Sequence, residues 1–305
     1  MYYDIIGPRK LNKKKLVLVI VIVILVVSLS TILGIKFSDY QKERKQEISL
    51  KEEQEKIIQE ELAKKKEEEE KRQAIISERH RKVNKQLSEE EKDRILHIYR
   101  STGEKRVFLT FDDGPSTSVT PLILDLLKEE NIKATFFVLG NNVKNNPNIV
   151  KREFDEGHYI ANHGYTHKYS EVYASPEATL NEYNETENRI KEALQNPEYK
   201  SKVFRFPGGS NGGYYHEMKQ NSKALLRENG IVHLDWNSLN EDAVGAHTKE
   251  KLMENIKNTI GEKDSVVILM HDSGDKILTY EMLKDLIPYL REKGYKFKNI
   301  YDLLD

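Results

Sequence analysis

Cysteine is absent from this chain of 305 residues. That excludes a disulfide framework and a thiolate zinc site, so a bound metal has to be held by histidine and carboxylate. It also suits an exported protein that does not depend on oxidative folding. An excess of either charge is missing too: 49 Lys and Arg meet 50 Asp and Glu, a formal net charge of −1. No global basic field therefore points to nucleic acid as a partner. Glycine and proline are missing from Lys36 to Thr102, which leaves that stretch without its usual helix breakers. The length allows one large domain or two small ones.

What is present is unevenly placed. Leu16 to Ile35 is apolar and free of charge, and about 20 such residues cross a hydrocarbon core as a helix. The apolar region of a cleaved leader is shorter, about 7–15 residues. Ser28, Ser30 and Gly34 also make a poor cleavage site, so 16–35 reads as a retained transmembrane anchor. Arg9, Lys10, Lys13, Lys14 and Lys15 precede it against Asp4 alone. By the positive-inside rule residues 1–15 form a cytoplasmic basic tail and the remainder lies outside the cell membrane.

Residues 36–103 are dominated by Lys and Glu, with opposite charges often three or four apart, the pattern of an exposed helix. Apolar positions such as Ile48, Ile57, Ile58, Leu62, Ile75, Ile76, Val83 and Leu87 recur without sustaining a heptad. A solvated helical stalk is expected, with coiled-coil pairing into a homodimer as the alternative.

From Glu104 to Asp305 the pattern becomes strand–helix alternation. Strands are expected at 106–111, 134–139, 159–161, 202–206, 231–236 and 266–270, with another near 295–300; amphipathic segments lie between them. Repeated β–α units imply a parallel sheet with helices outside. The fold class expected is α/β, a distorted (β/α) barrel of about seven or eight strands, with its site at the C-terminal strand ends.

Five short elements fall at those ends. Asp112-Asp113 follows an apolar run, so one carboxylate can bind a cation while its neighbour faces a reacting water. His163 and His167 have the spacing that puts two imidazoles on one metal if the segment is helical or tightly turned. A site with two histidines, one aspartate and open positions is catalytic, since the cation acidifies water and polarises a carbonyl. Arg205 precedes Pro207-Gly208-Gly209: the arginine can clamp a carboxylate, and the glycines free backbone N–H groups for an oxyanion. His271 ends a buried run and suits a general acid. Asp235 and Asp242 flank Trp236, the only tryptophan, and either can orient His271. The other histidines (His80, His97, His158, His216, His233 and His247) read as surface or packing residues.

Together these motifs resemble the polysaccharide deacetylases of carbohydrate esterase family 4, whose catalytic region is the NodB-homology domain. The resemblance covers Glu104 to Asp305. It implies that Asp112 is the general base, held by Arg205, and that Asp113, His163 and His167 bind a divalent metal, usually zinc, with cobalt, manganese or nickel as alternatives. It implies that the Gly208 N–H helps hold the oxyanion, that His271, tuned by Asp242, protonates the leaving amine, and that Leu269 lines the groove. Pro207, Trp236 and Tyr214 are placed along the same groove. Many members have tyrosine where Gly208 stands and tryptophan where Ala243 stands, so the cleft should be wider or stack differently on sugar. The segment Ser210–His216 is a candidate source of replacement aromatic contacts. The activity implied is hydrolysis of N-acetyl groups on cell-wall glycan, with GlcNAc of peptidoglycan expected from the anchor and stalk. MurNAc, a poly-GlcNAc exopolysaccharide or an acetylxylan ester are alternatives, and a silent wall-binding scaffold is the reading of another class.

Overall fold

The computed structural model describes residues 13–244 and 248–305. Most of the basic tail, and His247, lie outside the described residues. The chain divides into two units, one ending at Arg72 and the other running Gln73–Asp305.

In the first unit every described residue is helical, within α1 (Lys13–Asn84). Its apolar stretch is long and apolar enough to cross a membrane, with a mean hydropathy of 3.3 over 18 residues and none of that window buried. The hydroxyls inside it are satisfied locally: Ser28 donates to the Ile24 carbonyl at 2.9 Å and Thr31 to the Ser28 carbonyl at 2.8 Å. That is how a polar side chain survives in an apolar helix. Further along, Lys51 pairs with Glu47 and Lys71 with Glu67, one turn apart.

The second unit holds the remaining elements. After α2 (Glu89–Leu96) come β1 (Arg106–Asp112), α3 (Thr120–Glu129), β2 (Thr135–Val138), α4 (Gly140–Asn145), α5 (Pro147–Asp155) and β3 (Tyr159–Asn162). Then follow α6 (Tyr169–Val172), α7 (Pro176–Leu194), β4 (Val203–Phe204), α8 (His216–Glu228), β5 (Val232–His233) and β6 (Ser238–Leu239). The chain closes with α9 (Lys249–Ile260), β7 (Ser265–His271), α10 (Ile277–Glu292), β8 (Lys296–Lys298) and a 3₁₀ turn, Ile300–Leu303. The strands run in the order β5-β4-β3-β2-β1-β7-β6, with β8 beside β1, and each pairing is parallel. Among the described residues no ladder joins β5 to β6, so the sheet is a curled half-barrel. β1 and β7 are buried almost throughout, as strands covered on both faces must be.

The stalk expected to run to residue 103 is interrupted. α1 stops at Asn84, and Ser88 caps α2 through a capping box with Glu91. Val83, Leu87, Ile95 and Ile98 are buried in the same core as Val107, Phe111 and Val267. Val83 and Leu87, which failed to extend a heptad, are core contacts instead. Polar partners follow them: Arg94 Nε donates to the Leu303 carbonyl at 2.8 Å, and Glu91 accepts the Asp305 N–H at 2.9 Å.

Candidate active site

Parallel strands deliver their C-terminal ends to one side, and β1 and β7 set Asp112 directly opposite His271 in register. Arg205, just past β4, is fully buried and spends each donor nitrogen. Nη1 donates to Asp112 Oδ1 at 2.7 Å and to Thr110 Oγ1 at 2.8 Å, Nε to the Leu234 carbonyl at 2.9 Å, and Nη2 to the Asp235 carbonyl at 3.0 Å. Its guanidinium lies 3.9 Å from the centre of the Phe137 ring. Burial raises the Asp112 carboxyl above the usual carboxylate range, with the charges of Arg205 and His271 pulling against it.

Asp113 diverges from its neighbour because its φ of 72° turns the chain. Asn142 fixes the turn by donating to the Asp113 carbonyl at 2.7 Å. Asp113 Oδ1 is then 3.5 Å from Nε2 of His163 and 3.5 Å from Nε2 of His167, and all three donor atoms lie within 4.8 Å of one another. His163 and His167 do not share a helix; φ is 81° at Gly164 and 60° at His167, so a tight turn brings them together.

These residues fit a divalent cation. The buried Asp113 Oδ1 has no hydrogen-bond donor. His163 Nδ1 is 2.8 Å from the Arg205 carbonyl, which places the proton there and leaves the Nε2 lone pair facing Asp113. Burial pushes the His163 pKa down to about 3, so the imidazole is neutral, as a ligand must be. Bonds of about 2.1 Å to a tetrahedral ion separate donors by roughly 3.4 Å, close to the spacing found.

Across the cleft His271 Nδ1 is 2.6 Å from Asp242 Oδ1. Asp242 Oδ2 accepts from the His271 N–H at 2.9 Å and from Thr279 Oγ1 at 2.6 Å. Burial alone would lower the His271 pKa, but the hydrogen bond and charge of Asp242 raise it to about 9. Asp235, the other candidate, accepts from the N–H and hydroxyl of Ser210 and so shapes the loop after Gly209.

The groups surround one cleft of about 300 Å³. Gly208, Trp236, Leu269 and Ala243 line it, whereas Pro207 and Tyr214 do not. The Pro207 carbonyl instead accepts from Tyr173 OH at 2.6 Å, and Tyr214 is 94% exposed. Three residues that sequence reasoning missed belong to the site. Tyr169 lines the cleft. Glu182 accepts from the N–H groups of Tyr165 and Thr166 and from the Thr166 hydroxyl, at 2.6, 2.7 and 2.9 Å, and so pins the histidine turn. Thr279 holds Asp242. Only Tyr169 had a local signal, its place two residues after His167.

Residues 99–230 match the polysaccharide deacetylase family model, and the chain belongs to that family. It is 34% identical over 215 residues to a peptidoglycan-N-acetylglucosamine deacetylase of Bacillus cereus, covering 67% of this chain and 72% of that protein. It is 33% identical over 214 residues to the peptidoglycan-N-acetylglucosamine deacetylase PgdA of Listeria monocytogenes; the match takes in 69% of this chain but only 41% of that protein's length. A Streptococcus mutans CE4 esterase superposes with a TM-score of 0.60 at 29% identity, over 70% of this chain and 91% of its own.

Proposed function

We propose that this chain is a metal-dependent N-deacetylase of cell-wall glycan, acting on the GlcNAc residues of peptidoglycan. The observation that carries the reading is the facing pair of proton carriers. Asp112 and the His271–Asp242 dyad lie opposite each other across the β1–β7 pairing, with the Asp113, His163 and His167 donors in the same cleft. A binding module needs no such pair.

A cation held by Asp113, His163 and His167, zinc being the expected one, supplies Lewis acidity towards water and the acyl oxygen. Asp112, immobilised by Arg205, takes the proton of the attacking water. The N–H of Gly208, at the cleft wall, donates to the developing oxyanion. His271, kept protonated by Asp242, gives its proton to the amide nitrogen as the C–N bond breaks, releasing acetate and a free amine. Leu269, at the cleft wall, lies against the acetyl methyl group, and Trp236 against the sugar.

The membrane anchor at 16–35, with its basic flank inside, keeps the catalytic unit beside the wall polymer. The exposed helix beyond it serves as a spacer, and its scattered apolar positions (Ile48, Ile57, Ile58, Leu62) are where two copies would pair. The test is acetate release from N-acetylated peptidoglycan by the full chain loaded with zinc, beside Asp112→Asn. Release by wild type alone supports the reading. Release only from acetylated xylan, or from MurNAc-selective substrates, moves the substrate and keeps the chemistry.

A further inference from the structure

Gly208 offers no side chain to wall the cleft, and Tyr169 takes the space in front of it. A Cβ built on Gly208 would fall against the Tyr169 hydroxyl, well inside contact distance. Tyr169 opens α6, is 40% exposed, and sits beside His167 with ring centroids 5.7 Å apart. Tyr215 meets Tyr169 edge to face at 6.3 Å, and Tyr214 meets Tyr215 in the same manner at 5.0 Å. The three rings form a row leading away from His167.

The inner part of this row is anchored. Tyr173 is buried against Tyr169 and Tyr215. The ammonium of Lys219, on α8, lies 5.1 Å from the Tyr173 ring centre and 5.9 Å from that of Tyr169. The outer end is not anchored in this way. Tyr214 is 94% exposed, and the preceding Gly212 and Gly213 have positive φ. Hydrophobic burial gives no reason for a large ring there, whereas a half-apolar, half-polar ligand face does.

We infer that Tyr169, Tyr215 and Tyr214 form a stacking track for sugars adjoining the one that is deacetylated. The ligand is then a chain of N-acetylated hexosamines, gripped over several residues, with the aromatic wall at Gly208 supplied from the histidine turn. The sugar's identity rests on the deacetylase reading; the track itself rests on the rings.

The test is calorimetric titration of the full chain in detergent with the N-acetylglucosamine dimer and hexamer, as wild type, Tyr214→Ala and Tyr214→Trp. Covering roughly 50 Å² of ring is worth about a tenfold change in affinity. Wild type should bind the hexamer more tightly than the dimer. Tyr214→Ala should weaken the hexamer about tenfold, and Tyr214→Trp should restore it. Equal hexamer affinity in wild type and Tyr214→Ala overturns the track. Acetate release from the same oligomers is followed in parallel. Release with hexamer binding indifferent to Tyr214 sinks the track and keeps the deacetylase; Tyr214-dependent binding without release does the reverse.

Discussion

The Asp242 carboxylate holds His271 twice, one oxygen 2.6 Å from Nδ1 and the other accepting the backbone N–H of the same residue at 2.9 Å. The side chain and the strand end it hangs from are thus fixed by a single group. Thr279, in the first turn of α10, completes the clamp from outside the cleft.

This clamp sets a pH limit. His271 titrates at about 9, so its acid form is full at neutral pH and is lost as pH rises through 9. Asp242→Asn keeps the shape but removes the charge, and His271 should fall back towards its ordinary value of about 6.5. The alkaline limb of kcat should move down by about two to three pH units. Histidine NMR on the same variant reads the shift directly, and an unmoved resonance would count against the clamp.

Arg205 cannot be exchanged for lysine. An ammonium cannot serve Asp112, Thr110 and the carbonyls of Leu234 and Asp235 at once, nor lie flat on Phe137. Arg205→Met, which removes the cation altogether, should destabilise the fold by about 3–5 kcal/mol, the usual cost of leaving a buried charge without its partner, and Arg205→Lys should recover only part of that loss. Urea unfolding measures it; a midpoint within error of wild type would refute the assignment.

Metal binding should be visible without any substrate. Zinc at 100 times its Kd should add about 2.7 kcal/mol of stability, seen as a rise in Tm that a chelator reverses. Asp113→Ala and His163→Ala should abolish the rise, because each removes one of three donors.

Glu182 acts on that site from a distance. Without its carboxylate the N–H groups of Tyr165 and Thr166 lose their acceptor, and the turn that holds His167 at its φ of 60° loosens. Glu182→Ala should weaken zinc by about 10–100-fold, the range for outer supports of a metal ligand. Competition with a chromogenic chelator gives the number, and an unchanged affinity would sink the role.

His158 gives a stability signature with a definite sign. It is fully buried, its Nδ1 accepts the Ala134 N–H at 3.1 Å, and burial pushes its pKa down to about 3. The unfolded chain therefore binds a proton that the folded one refuses. The contribution is complete above about pH 6.5 and is lost as pH falls towards 3, by about 1.4 kcal/mol per unit. Glu153 and Asp272 are also buried, with raised carboxyl pKa values and the opposite slope, so the readout is a difference. Wild type should lose more stability than His158→Asn between pH 7 and pH 5.

Much of this architecture was legible because it is written locally. The charge-free run at 16–35, the breaker-free segment after it and the apolar runs of the sheet each declare themselves within one window. The parallel topology then carries Asp112, His163, Arg205 and His271 to one side, since all four stand at or just past the C-terminal end of a strand. What a window cannot hold was lost. Ser238–Leu239 is too short a strand to have a period, and Val83 and Leu87 looked like failed heptad positions until the core was seen to include them.

The sequence by itself determined which chemical groups are available and on which end of which strand they stand, because backbone period and residue type are local properties. Only the tertiary structure gave Asp242 its hydrogen bonds to His271 and Asp235 its bonds to Ser210, brought Glu182 under the histidine turn and set Tyr169 before Gly208. Each of those is a contact between residues 15 or more apart in the chain, settled by how helices pack on a curled sheet.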